Sequence, residues 1–324
     1  MDFKKIIFIS LFAFSFVASC KKGGDSQTAG QEKIDSVNFE HAHYSGLDIL
    51  IDSNLFKTNP EVFDLENTSL VEQSGVAASA INDTVLYVHQ DNGNSPEVYV
   101  ISKKGKNIGT IILNGVTNRD WEDIAVGPGP IENQSYIYVG NIGDNDSVYP
   151  DISIYRFPEP NLAAFSSTKT ITITNFDKIR MKYPDGPKNA ESLMVDPLTK
   201  AIFIASKESN ISKIYELPYP QDITNLSKLK PLLTLPFAKL TAGDISSNGT
   251  EILLRSTGGV WLWKRNPEQS VAQALMSTPV MIPVQLGYQG EGITFCHSGS
   301  GFYTSSEVPK KGNIPPSIKL YQKK

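Results

Sequence analysis

Glu122-Asp123-Ile124-Ala125-Val126 sets an acidic pair ahead of an alternating apolar run. The phrase returns as Ser74-Gly75-Val76-Ala77-Ala78, Glu191-Ser192-Leu193-Met194-Val195, Gly243-Asp244-Ile245-Ser246-Ser247 and Glu291-Gly292-Ile293-Thr294-Phe295. Aligned on the apolar residues at 76, 124, 193, 245 and 293, the intervals are 48, 69, 52 and 48 residues. After a turn each phrase leads into a more hydrophobic strand, at 85–88, 137–139, 202–204, 252–254 and 302–304. A third, alternating strand follows at 98–101, 152–155, 213–217, 260–263 and 318–321, and a fourth is visible at 110–113 and 169–173. Turn signals such as Asn92-Gly93, Lys104-Gly105 and Asn248-Gly249 separate them. Four short strands per unit of about fifty residues is the pattern of a β-propeller. A β-sandwich also has many short strands but does not repeat one phrase five times in order. The expected fold is therefore all-β, a single β-propeller of five blades, or six if the long interval or residues 40–55 carry a degenerate one. The last phrase has three strands before Lys324, so Val62-Phe63-Asp64-Leu65-Glu66 is expected to supply its outer strand and close the ring.

Composition agrees and excludes several classes. Among 324 residues, 30 Lys and Arg face 34 Asp and Glu, a net charge of −4, which argues against a nucleic-acid partner. Hydrophobic residues at 40% and charged residues at 20% suffice for a core. Two cysteines, Cys20 and Cys296, exclude a disulfide framework and a Cys-rich zinc site. Cys296, beside an inner strand, reads as a small core residue.

The N-terminus reads as an address. Met1-Asp2-Phe3-Lys4-Lys5 is basic, residues 6–17 are apolar but too short to span a bilayer comfortably, and Val17-Ala18-Ser19-Cys20 resembles the lipobox of bacterial lipoproteins. The expected organisation is a lipoprotein signal peptide at 1–19, a lipidated Cys20 with a polar tether at 20–58, and the propeller at 59–324. The bilayer is then a partner through Cys20. No aspartate follows Cys20, which favours the outer membrane over the inner. A monomer is expected.

In an antiparallel pair the start of one strand lies beside the end of the next. The residues opening the first strands and closing the second strands should therefore meet at one mouth of the channel. The openings supply Glu122, Asp123, Glu191, Asp244 and Glu291. The closings supply His89, Asp91, Asn141, Asp144, Lys207, Glu208, Arg255 and Glu307. Carboxylates so gathered repel unless they are protonated, paired or bridged by a cation. Ca²⁺, which takes six to eight oxygen ligands, is the expected cofactor, held by Glu122, Glu191, Asp244, Glu291 and Asp144. His89, Lys207 and Arg255 are the candidate catalytic or anion-binding residues. His41 and His43 precede the repeats, His297 reads as surface, and no Gly-x-Ser-x-Gly or His-Glu-x-x-His motif is present.

The phrases at 74–79, 86–93, 118–125 and 138–145 resemble secreted bacterial propeller proteins of uncharacterised function, and Glu291-Gly292-Ile293 is more distantly similar to phytase-like and esterase-like propeller domains. The resemblance covers most of residues 70–310 and implies the fold. In true propeller phytases calcium bridges carboxylates and substrate phosphate, but no position here carries a catalytic role across. Three functions follow as expectations: a module binding a small molecule, glycan or peptide at the mouth; a calcium-dependent phosphoesterase, esterase or lactonase; and a polysaccharide lyase using His89 or a tyrosine as base and Arg255 against a uronate.

Overall fold

A computed structural model describes residues 37–165, 169–309, 311 and 313–324. The expected signal peptide, Cys20 and the first part of the tether lie outside the described residues. The rest forms five sheets arranged as one five-bladed propeller.

Blade I contains Gln73–Ala78, Val85–Gln90, Glu97–Ser102 and Asn107–Leu113, from channel to rim. Blade II contains Trp121–Pro128, Ser135–Asn141, Ile152–Pro158 and Asp177–Lys182. Blade III contains Ala190–Val195, Ile202–Ser206, Ser212–Leu217 and Lys230–Leu235, and blade IV Leu240–Ile245, Glu251–Ser256, Gly259–Lys264 and Val280–Ile282. Blade V has Gln289–Phe295, Gly301–Glu307 and Ser317–Gln322. Its fourth strand is Glu61–Asp64, antiparallel to Ser317–Gln322 with Phe63 opposite Ile318, so the expected N-terminal closure is present.

The second strand of each blade is apolar without interruption because both its faces are covered. In Val85-Leu86-Tyr87-Val88, Val85 and Tyr87 pack toward blade II, and Leu86 and Val88 toward blade V. The same division recurs at each junction, giving five wedge cores between neighbouring blades rather than one central core. Cys296 lies buried in the wedge between blades V and I.

The outer edges are also covered, and here the structure differs from the sequence reading. Blades I to IV each carry a short fifth strand running parallel to the fourth: Thr170–Ile173, Ser227–Lys228, Glu40–His41 and Leu50–Ile51 respectively. The 69-residue interval thus holds an edge strand for blade I, and among the described residues there is no sixth sheet. Residues 40–56, expected to be tether, instead run along the rims of blades III, IV and V as a belt. Tyr44 is buried and donates to Leu275 O at 3.1 Å, and Phe56 is buried with its ring edge-on to Phe302 at 4.9 Å. The propeller boundary therefore lies before residue 40, not at 59. A half-filled pattern with little periodicity hides such a belt in the sequence, yet it removes hydrogen-bonding edges that would otherwise template aggregation.

Candidate functional site

Every inner strand breaks its register with a bulge at its start: between Gln73 and Val76, Trp121 and Asp123, Ala190 and Ser192, Leu240 and Ala242, and Gly290 and Ile293. A bulge inserts an unpaired residue and re-aims its side chain. The re-aimed residues are Ser74, Glu122, Glu191, Thr241 and Glu291. Ser74 and Thr241 tie neighbouring blades: Ser74 Oγ donates to Glu122 O at 2.5 Å, and Thr241 Oγ1 donates to Gly290 O at 2.8 Å. Glu122, Glu191 and Glu291 present carboxylates at the mouth, as the repeat implied.

The register corrects blade IV. Gly243, not Ile245, stands level with Val76, Ile124, Leu193 and Ile293, so the intervals become 48, 69, 50 and 50. Gly243-Asp244 imitates the small-acidic pair, but Thr241-Ala242 fills that place. Asp244 falls level with Ala125 and Thr294, near the far end of its strand, and is not a mouth residue.

Three other expected site residues have structural roles. Asp144 is buried and caps its own loop, accepting from Val148 N at 2.9 Å and Tyr149 N at 2.8 Å. Arg255 is buried between blades IV and V, donating to Gly292 O at 2.6 Å and Ser305 O at 2.5 Å; burial pulls its guanidinium down to about 10. His89 is fully buried between blades I and II, edge-on to Trp121 at 5.7 Å with Nδ1 3.2 Å from Gln90 O, and burial holds its imidazole down at about 4. A neutral ring without solvent access cannot serve as base to a substrate at the mouth. Gly75 makes room for it: a Cβ there would stand 2.6 Å from His89 Nε2.

Lys207 does reach the mouth. It is about one quarter exposed, ion-paired with Glu191, and shifted upward by the carboxylates of Glu191, Glu291 and Glu122 against the opposing effect of burial. Burial pushes Glu191 up to about 8 even though Lys207 pulls it down, and raises Glu291 too. Asp91, Asp120 and Glu122 form a closer group, one oxygen from each lying within 4.8 Å of the others. Burial, with repulsion from neighbouring carboxylates, lifts Asp91 to about 6, raises Asp120, and drives Glu122 well above its usual range. Asn92 Nδ2 donates to Asp120 Oδ1 at 2.7 Å and fixes that carboxylate. Asp120 escaped the sequence reading because it precedes the strand, outside the repeated pair.

Beside this group opens a polar cleft of about 630 Å³, lined by Lys188, Asn189, Lys207, Lys213, Lys239 and Glu291 among others. Asp185 holds Lys188 at 3.1 Å and Lys213 at 3.0 Å. The mouth therefore joins an all-oxygen carboxylate cluster to a lysine-rich cleft, with Lys207 bordering both.

No known protein family matches the chain, and no curated protein matches it. Among solved structures it is similar to the WD40 repeats of RRP9, at 10% identity and a TM-score of 0.38, over 78% of this chain and 67% of that one. It is also similar to the Dos1 propeller, at 12% identity and 0.36, over 77% and 68%, and to U3-55K, at 10% and 0.37, over 77% and 67%. These likenesses go no further than the propeller fold, which the five sheets establish independently.

Proposed function

We propose that this protein is a lipid-anchored, extracytoplasmic binding propeller whose mouth takes Ca²⁺ together with an anionic or hydroxyl-rich ligand such as an acidic glycan. The observation carrying the reading is the Asp91–Asp120–Glu122 group set beside the lysine-lined cleft. Its donor set is all oxygen, as a hard cation requires, and burial raises all three carboxyls above their usual range, a shift that a divalent charge would oppose. This set keeps only Glu122 of the one expected from sequence; Glu191, Glu291, Asp144 and Asp244 drop out and Asp91 and Asp120 enter. Calcium would be held by Asp91, Asp120 and Glu122 and would supply positive charge to a ligand's oxygens. Lys207 and Lys239 would meet its anionic groups.

The test is thermal unfolding of the purified protein with calcium or chelator. At a hundredfold excess over Kd, calcium should add about 2.7 kcal/mol of stability, and Glu122→Gln or Asp120→Asn should abolish the response. An unchanged melting temperature in the parent protein would refute the site. A hydrolase reading is favoured by two carboxyls poised near neutrality, Glu191 at about 8 and Glu307 at about 7. Turnover on a phosphate-ester and lactone panel that requires both Glu191 and calcium would select it over pure binding. The burial of His89 and Arg255 takes both from the lyase reading and leaves it only a tyrosine as base. Anchoring rests on the lipobox: radiolabelled palmitate should enter the protein, and Cys20→Ala should prevent it. Fractionation would place it in the outer or inner membrane.

A further inference from the structure

The opposite end of the channel holds a second cavity, of about 420 Å³, within the range used for small-molecule sites. The part of its wall built where the inner strands finish is largely apolar, from Ala78, Val126, Pro128, Val195, Ile245 and Phe295, and loop residues such as Asn133 and Gln134 complete it. Its one inner-strand charge is Asp244. At the same register the other blades carry Ala77, Ala125, Met194 and Thr294, so the carboxylate is peculiar to blade IV.

Asp244 is held rigidly. Phe295 N donates to Oδ2 at 2.7 Å, Thr294 Oγ1 donates to Oδ2 at 3.0 Å, and Ile245 N donates to Oδ1 at 2.8 Å. Thr294 is fixed in turn by Ala78 N, which donates to its Oγ1 at 3.1 Å. A carboxylate oxygen accepts about two hydrogen bonds, so Oδ1 retains capacity for one more donor. Asp123 makes an instructive contrast. Its carboxylate is oriented by three backbone amides in the same way, but it is fully buried in the channel. Asp244 is partly accessible and forms part of the cavity wall. The other charged or titratable groups around this cavity are Glu132, Lys200 and His297 on loops, with Asp123 behind it. Lys200 Nζ is engaged by Gly129 O at 3.1 Å.

We propose that this cavity binds a small organic cation with an apolar body, an alkyl- or arylalkylammonium, its ammonium donating to Asp244 and its hydrocarbon lying against Val126, Val195, Ile245 and Phe295. Charge complementarity sets the class: an apolar cup with one oriented carboxylate in its wall favours a cation over an isosteric alcohol, since only the cation neutralises that charge. Burial holds Asp244 at about 7, so the carboxylate is ready to ionise when a cation arrives.

The experiment is calorimetric titration of the full chain with phenethylamine and with 2-phenylethanol at pH 8. The amine should bind at least tenfold more tightly, and Asp244→Asn should bring it to the alcohol's level. Lowering the pH from 8 to 5 keeps the amine charged but protonates Asp244 and should weaken binding roughly a hundredfold. That measurement needs no variant should Asp244→Asn fail to fold, and repeating it on His297→Gln separates the rim imidazole. Equal affinity for amine and alcohol, or a flat pH profile, would each overturn the proposal. None of these outcomes depends on calcium or on the first mouth.

Discussion

Replacing Asp123 by alanine should be among the most damaging single changes in the ring. This carboxylate accepts from Ile124 N and Leu193 N at 2.9 Å and from Gly243 N at 3.3 Å, joining blades II, III and IV at the axis. It is fully buried, so water cannot replace it. Alanine leaves three buried amides without an acceptor, at about 1–3 kcal/mol each, and the longest bond contributes least. The expected loss is about 3–6 kcal/mol, against a total stability on the order of 5–15 kcal/mol for a folded domain. With a urea slope near 3 kcal/mol per molar, the midpoint should fall by about 1–2 M at unchanged slope. Asparagine retains an oxygen that can accept from Leu193 and Gly243 and should lose about half as much, which keeps the comparison measurable if the alanine variant does not fold. The assay is urea unfolding followed by circular dichroism at pH 7. An Asp123→Ala midpoint within 0.3 M of the parent (about 1 kcal/mol at that slope) would refute the view that side-chain-to-backbone bonds at the axis hold the blades together.

Other perturbations test separate parts of the structure. Phe56→Ala should cost about 3 kcal/mol if the belt is docked, whereas a free tether predicts no change; denaturant midpoints decide. His89 is held at about 4 against 6.5 for a free imidazole, so its contribution is fully present above pH 6.5 and is lost as pH falls toward 4, by about 3 kcal/mol. The difference between parent and His89→Phe stability should follow that slope, although buried carboxyls tilt the total the other way. Lys207→Met should change stability by less than about 1 kcal/mol, tighten calcium by removing a nearby positive charge, and weaken an anionic ligand; calorimetry would show the opposed signs.

The fold was legible because both faces of the second strands are covered, which forces unbroken apolar runs at a fixed spacing. Ring closure was legible for a similar reason: three strands at the C-terminal end left a place that Phe63 could fill. The belt was not, because strands of two residues such as Glu40–His41 and Leu50–Ile51 have no period to detect. At the mouth, Glu122, Glu191 and Glu291 could be read from the repeat. Asp244 was misplaced by two residues because Gly243-Asp244 imitates the small-acidic pair whose place Thr241-Ala242 fills. Arg255 and His89 were assigned to chemistry on residue type, and only burial distinguishes a guanidinium that ties two blades from one that meets a substrate. Asp120, by contrast, is a site residue whose position carries no repeated signal.

The belt also has a mechanical consequence. A pull applied at residue 37 would load the rim one short strand at a time, first Glu40–His41 on blade III, then Leu50–Ile51 on blade IV, then the Phe56–Lys323 bridge. The ring-closing strand Glu61–Asp64 would bear load only after those had let go. Peeling residues 37–60 would pay out about 80 Å of extended chain. The belt would act as a series of fuses, lengthening the N-terminal segment under strain before the ring itself is loaded.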